Sequence, residues 1–291
     1  MIRFNLNLIL FIFLINPKII QCQEFEWWNE KHDWDGTTHW SDYLIMSPKF
    51  FGPNAFPIPF PEKMIEETNL DLSFNCHSNK NEFSKDILSK ISIPFGSKVN
   101  IKLQINPVEY FSMDSVIRDK RFIRDKKSRG FSVGDLLFET KMRLYERKNY
   151  ELNMNVGLKT ASGSQLMNAR YTDSPSYYFN IVWFNEYSIN QKYDIETGFL
   201  LGLYVWQTNL NDYRQNDALL SSFLINFSFK NFNIQNTIRG FKGYIGNGDF
   251  PILYRIKFST NIKNKEFFIF KQYTLKDNPF NTLSFGISSN F

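Results

Sequence analysis

The chain has 291 residues, 18% of them aromatic with 31 Phe, a net charge of +5 and a mean hydropathy of −0.35. Beyond the first twenty residues no apolar run is long enough for a membrane helix, which excludes a helical membrane protein. Abundant Phe in a chain of negative mean hydropathy fits strands with one apolar and one polar face.

Residues 1–22 read as a secretory signal peptide. Arg3 supplies the positive start, and the apolar run from Leu8 to Ile15 is too short to cross a bilayer. Cleavage is expected near Cys22. Acylation of Cys22 is an alternative, although Gln21 stands where lipoprotein signals carry a small residue. Besides Cys22 the chain holds only Cys76, so no disulfide framework is expected. A secreted chain rarely meets nucleic acid. The basic surplus therefore points to phosphate-rich headgroups or to an anionic solute.

Residues 23–68 read as an irregular Trp- and Pro-rich segment. Pro48, Pro53, Pro57, Pro59 and Pro61 block both helix and ladder and favour extended chain. The segment is expected to fold back as a plug or to cap the periplasmic side. Trp27, Trp28, Trp34 and Trp40 are its candidate plug or partner residues, since indoles favour membrane interfaces and stack on sugar rings. His32, Asp33, Asp35, His39 and Asp42 match no metal-ligand spacing, and no metal or cofactor is expected.

Period-two alternation begins near Asn69 and continues to Phe291. Twelve strands are predicted, over 69–77, 86–95, 99–112, 134–145, 150–160, 176–187, 193–208, 218–230, 232–244, 251–262, 266–275 and 282–291. In the eighth, Phe223, Ile225, Phe227 and Phe229 share a face opposite Leu224, Asn226 and Ser228. In the eleventh, Phe267 to Phe270 has no polar face. With the first strand rising from the periplasm, the lower connections are all short and most upper ones longer, as in outer-membrane barrels. The predicted fold class is therefore all-β, a closed antiparallel transmembrane β-barrel of about twelve strands spanning residues 69–291. An even strand number returns the C-terminus to the periplasm, and both termini are expected there.

With apolar side chains facing lipid, the opposite face lines the lumen. It collects Lys102, Glu139, Lys141, Arg143, Lys159, Glu196, Arg239, Arg255 and Lys257. These charges either line a narrow passage or pair with each other and fill the bore. The basic stretch from Arg118 to Arg129 falls in an upper loop, where it is either solvated or set against lipopolysaccharide phosphates. An enzyme is not expected. A lipid hydrolase would need a serine beside a histidine at the lipid boundary, and His77, with Ser73 and Asn75, falls on the lumen face.

The last strand, Thr282 to Phe291, alternates and stops on an aromatic residue, and it resembles the C-terminal insertion signal of Gram-negative outer-membrane barrels. Gly134–Phe138 and the segment from Val156 to Gly163 are similar to the strand-and-loop pattern of porin-like outer-membrane proteins. The resemblance implies an outer-membrane location and barrel architecture. It also implies recognition of Phe291 by the barrel assembly machinery, and contact with outer-membrane lipid and lipopolysaccharide. It transfers no binding residue. The expected function is a narrow channel for small, anionic solutes. The alternatives are a non-conducting accessory subunit that meets other outer-membrane or periplasmic proteins, and thirdly a lipid-modifying enzyme.

Overall fold

A computed structural model describes residues 25–190 and 193–291. The signal peptide and Cys22 lie outside the described residues. The chain divides into two units, one ending at Thr37 and the other running from Thr38 to Phe291. In the first, helix α1 (Glu26–Lys31) buries Trp28, whose ring lies 5.2 Å from that of His32. Trp34 is exposed and Trp27 half-buried.

The second unit is the barrel. Its strands are β1 (Asn69–Asn79), β2 (Glu82–Phe95), β3 (Val99–Met113), β4 (Arg129–Ser132), β5 (Leu137–Arg147), β6 (Tyr150–Lys159) and β7 (Ser176–Asn190). They continue with β8 (Tyr193–Gln207), β9 (Gln215–Phe229), β10 (Phe232–Lys242), β11 (Ile252–Ile262), β12 (Lys265–Lys276) and β13 (Asn281–Asn290). Each pairs antiparallel with its neighbours, and β1 pairs with β13 from Asn69 opposite Asn290 to Ser78 opposite Asn281. The sheet therefore closes, with twelve strands in the wall. β4 is a short extra piece inside the long loop after β3, added to the β3 edge above β5. That loop also carries helix α2 (Ser115–Lys120), capped by the Asp114 carboxylate accepting from the Ile117 N–H.

The outward face is apolar. Phe223, Phe179, Ile181, Phe74, Phe285 and Ile269 all point away from the bore and remain exposed, while Leu224 and Ser222 are buried on the other side. Closure leaves no unpaired edge, which is what a sheet in hydrocarbon requires. Phe267 to Phe270 also obeys the alternation. Phe267 and Ile269 face out, and Phe268 and Phe270 line internal cavities. Gly286 makes room for Phe268, because a Cβ there would sit 2.2 Å from its ring.

The connections segregate by length, with one exception. At one end the links include residues 96–98, 148–149, 230–231 and 263–264. At the other they include residues 114–136, 160–175, 208–214, 243–251 and 277–280. The exception is the β1–β2 link at this second end. Residues 80 and 81 alone join the strands, where a loop over 78–85 was expected, because Ser78 to Lys85 carry on the ladder.

A second departure concerns the inside of the wall. The inner face was expected to collect charged residues, yet Val182, Phe184, Leu200, Tyr204, Trp206, Leu220 and Phe241 also point inward and are buried. They pack against Leu44, Met46, Phe51, Ala55, Phe56 and Ile58. Residues 44–66 thus run as an irregular strap down the bore. The strap is held by wall residues from β2 round to β11 and joins β1 at the short-turn end.

The strap's direction follows from its contacts. The Asn209 amide, in a long loop, donates to the carbonyls of Ser41 and Leu44 at 2.9 and 2.7 Å, and the Ser47 hydroxyl reaches the Gly248 carbonyl at 3.2 Å. The barrel body therefore begins at the long-loop end and finishes at the short-turn end, where Phe291 bonds back to Thr68. From Trp40 onward the segment does not cap the short-turn side, and the two ends of the body do not share one side. An odd crossing is responsible: the strap adds a thirteenth passage through the membrane plane.

Ile181, midway along β7 with its side chain outward, tests the lipid-facing assignment. Ile181→Arg should destabilise the barrel by about 2–4 kcal/mol, read from denaturant unfolding in lipid vesicles. Unchanged stability would remove this face from the bilayer.

Candidate functional site

The strap and the inner wall together make the site, in four levels. At the short-turn end the strap is pinned by charge. The Glu62 carboxylate accepts from Lys102 Nζ at 2.8 Å, and Lys102 also pairs with Glu139 at 2.8 Å. Lys141 Nζ donates to the Glu62 backbone carbonyl at 2.7 Å. Lys63 bridges Glu186, at 2.8 Å, and Glu196. The Met64 N–H donates to Glu151, and Asn100 exchanges two hydrogen bonds with the Ile65 backbone. Such bonds satisfy a strap that has no ladder of its own. Gly157 belongs to this level: a Cβ there would lie 2.1 Å from the ring of Tyr178, whose hydroxyl donates to Glu139.

At mid-bore the strap presents Phe60 to two guanidiniums. Arg255 lies 4.0 Å and Arg239 5.3 Å from its ring centre, a cation–π arrangement. Arg239 donates to the Ile58 carbonyl at 2.7 Å and to the Gln272 carbonyl oxygen at 2.6 Å. Arg255 donates to Gln235 at 3.0 Å.

Above Phe60 the strap is a dry stopper. Tyr204 and Phe241 stack at 4.8 Å, Trp206 packs edge-on to Phe56 at 5.7 Å, and the Trp206 indole N–H donates to the Met46 carbonyl at 2.8 Å. Two fully buried polar groups flank it. Asp86 receives Asn54 from the strap at 2.8 Å, Asn75 at 2.7 Å and Asn106 at 2.9 Å. It also bonds His77 Nε2 at 2.6 Å, while His77 Nδ1 meets the Thr282 hydroxyl at 2.8 Å. Both ring nitrogens of His77 are thus engaged inside the bore, and Ser73 bonds Asn75 at 3.5 Å. This is not the lipid-facing Ser–His pair that a lipid hydrolase needs.

At the long-loop end, Arg170 inserts between Glu82 and Glu109, and Arg121 chelates Glu82 at 3.0 and 2.7 Å. Burial opposes the charge on Arg170, but Glu109 and Glu82 outweigh it and hold its pKa above the usual arginine range. The Arg170 guanidinium stacks over Phe111 at 5.0 Å, and the neighbouring Ala169 carbonyl accepts from the Gly52 N–H of the strap. Gly52 is required here, since a Cβ would meet the Arg170 carbonyl at 2.7 Å.

The residues read from sequence as lumen-lining are all on the inner side, but in different roles. Lys102, Glu139 and Lys141 hold the strap. Lys159 is spent on Asp135 at 2.8 Å, Lys257 on Glu266 at 2.8 Å, and Arg143 on Glu146 at 2.7 Å beside a short turn. Only Arg239 and Arg255 in that set have no carboxylate within ion-pair distance. Among the Trp candidates, Trp40 lies beneath Arg124, 5.6 Å away, at the long-loop end. The bore itself is filled by the Pro-rich part of the segment. Within the basic loop, Arg121 is turned inward, so that stretch is not uniformly solvated. Glu82, Glu109, Arg170 and Asp86 escaped the sequence reading, because lone charges at strand ends or in a loop carry no spacing signal.

Arg170→Met should cost about 3–5 kcal/mol, because Glu109 would remain buried without its cation. Urea unfolding of the refolded barrel would measure the loss. A cost under about 1 kcal/mol, the range of an exposed ion pair, would show that this cluster is hydrated.

No family model and no curated protein matches the chain. Solved structures do. An outer-membrane channel from Pseudomonas putida F1 is 9% identical, with 81% of this chain and 99% of that chain covered at a TM-score of 0.53. The NanC porin is 10% identical, covering 76% and 100% with a TM-score of 0.49. The KdgM porin in complex with disordered oligogalacturonate is 12% identical, covering 76% and 99% with a TM-score of 0.46. At these identities the likeness is one of fold, and it rests on the first of the three. Closure, an apolar outer face and that likeness show that this chain has the fold of a closed antiparallel β-barrel like that of the solved outer-membrane channel.

Proposed function

We propose that the protein is an outer-membrane channel for small anionic solutes, held shut by its own residues 44–66. The carrying observation is the mid-bore pair Arg239 and Arg255. They are positive groups beside the Phe60 ring without a carboxylate partner among the described residues, and Arg255 borders two internal cavities. Lumenal charge of one sign selects solutes of the other. The strap's two anchors differ in kind, ionic at the short-turn end and apolar at the long-loop end, so the lower anchor can be loosened without dissolving the upper. A second reading, a non-conducting accessory barrel, draws on the stopper itself, which packs as closely as a protein core.

The short turns are placed in the periplasm, as in other barrels of this class. On that orientation Phe291 faces the assembly machinery, and the exposed basic residues Lys126, Lys127 and Arg129 face lipopolysaccharide phosphates. The beginning of the barrel body then lies on the outer side.

Single-channel recording in planar bilayers tests the channel. The wild type should show rare, small, anion-selective openings, and Glu62→Gln with Lys63→Met should raise the open probability several-fold. A correctly folded barrel with no current above background in either form would leave the non-conducting reading. Labelling of intact cells with a membrane-impermeant maleimide tests the orientation. Asp42→Cys should react from outside, and Lys98→Cys only after the outer membrane is opened. The reverse pattern would invert the barrel.

A further inference from the structure

We infer that the cavity between the strap and the wall around β11 and β12 is a binding site for a small organic carboxylate, with Arg239 and Arg255 as its anion-binding groups. This deepens the channel reading and takes from it the anionic character of the solute. The cavity has a volume of about 150 Å³. Arg239, Arg255, Gln272 and Gln104 line it beside Phe270 and Phe280.

Three observations point to a missing anion. Arg255 is 6% exposed and Arg239 is half-buried, yet neither has a carboxylate within ion-pair distance among the described residues. The Nε–H of each guanidinium is buried and has no hydrogen-bond acceptor. The nearest acidic groups are committed elsewhere, Glu62 to Lys102 and Glu266 to Lys257. Buried guanidinium donors without acceptors are costly, and a bidentate carboxylate supplies what they lack. Both groups keep bonds that fix their direction, from Arg239 to Gln272 and the Ile58 carbonyl and from Arg255 to Gln235. They are thereby held in place with donors to spare.

The rest of the lining selects the kind of anion. Phe270 and Phe280 offer apolar contact, and the amides of Gln272 and Gln104 offer polar contact, both within a pocket too large for a carboxylate alone. A bare inorganic phosphate would leave the aromatic side unfilled. A carboxylate carried on a short carbon body uses both.

Thermal unfolding of the full-length barrel in detergent, at constant ionic strength, tests the site with acetate, its neutral isostere acetamide, and inorganic phosphate. Acetate should raise the melting temperature in a saturable way. Acetamide should not, and phosphate should act more weakly than acetate. The Arg239→Gln, Arg255→Gln double variant should lose the acetate response, while Lys257→Gln keeps it. If the double variant does not fold, phenylglyoxal modification of the wild type replaces it: acetate, and not acetamide, should protect Arg239 and Arg255 about tenfold. Equal responses to acetate and acetamide, a stronger response to phosphate, or absent protection would overturn the site. An acetate response without any current would keep the site and end the channel reading. Current through a barrel indifferent to acetate would do the opposite.

Discussion

A backbone in hydrocarbon has no water to bond with, and every other feature of this molecule follows from that. The only answer open to a sheet is to leave no edge, and the β1–β13 ladder supplies it over ten residue pairs. Once the sheet is closed, its outside must be apolar throughout the membrane. The inside is then a space of fixed circumference that something must occupy. A twelve-stranded wall is too wide for its own side chains to meet across the axis. Here a length of chain takes that place.

The strap shapes the wall as much as the lipid does. Where it is apolar, from Leu44 to Ile58, the facing strands β7 to β11 carry Val182, Leu200, Trp206 and Phe241 inward. Those strands are apolar on both faces, one side against lipid and the other against the stopper. Where the strap turns polar, at Glu62 and Lys63, the facing strands β3, β5, β7 and β8 turn polar with it. The strap's own contacts are therefore graded along the axis, mostly apolar towards the long loops, beside the buried Arg170 ion cluster, and ionic towards the short turns. Proline suits this role: it gives up backbone donors that a strap without a ladder would otherwise leave unpaired, and it keeps the chain extended.

Charge inside the barrel is mostly neutralised in place. Glu82 with Arg121 and Arg170, Asp135 with Lys159, and Glu139 with Lys102 are pairs whose members would each be expensive alone. Against that background Arg239 and Arg255 stand out, because they share an aromatic ring instead of a carboxylate. The part of the bore that departs from the pairing rule also borders two internal cavities, both lined by Arg255 and Phe270.

The alternation of large apolar and small polar residues determined, by itself, the strand count, the outward faces of rows such as Phe223 to Phe229, and the closed barrel. A period of two leaves only one way to sort side chains between lipid and bore. The Phe267 to Phe270 block was ambiguous for a physical reason, since aromatic rings facing lipid and aromatic rings facing the bore leave the same mark on a strand. Tertiary structure alone decided that residues 44–66 fill the bore, that they enter from the long-loop end, and which charges are paired. A Pro-rich segment has no periodicity to report its direction. An ion pair such as Lys63 with Glu196, or Arg170 with Glu109, joins residues far apart in the chain, so only closure of the barrel brings them within reach.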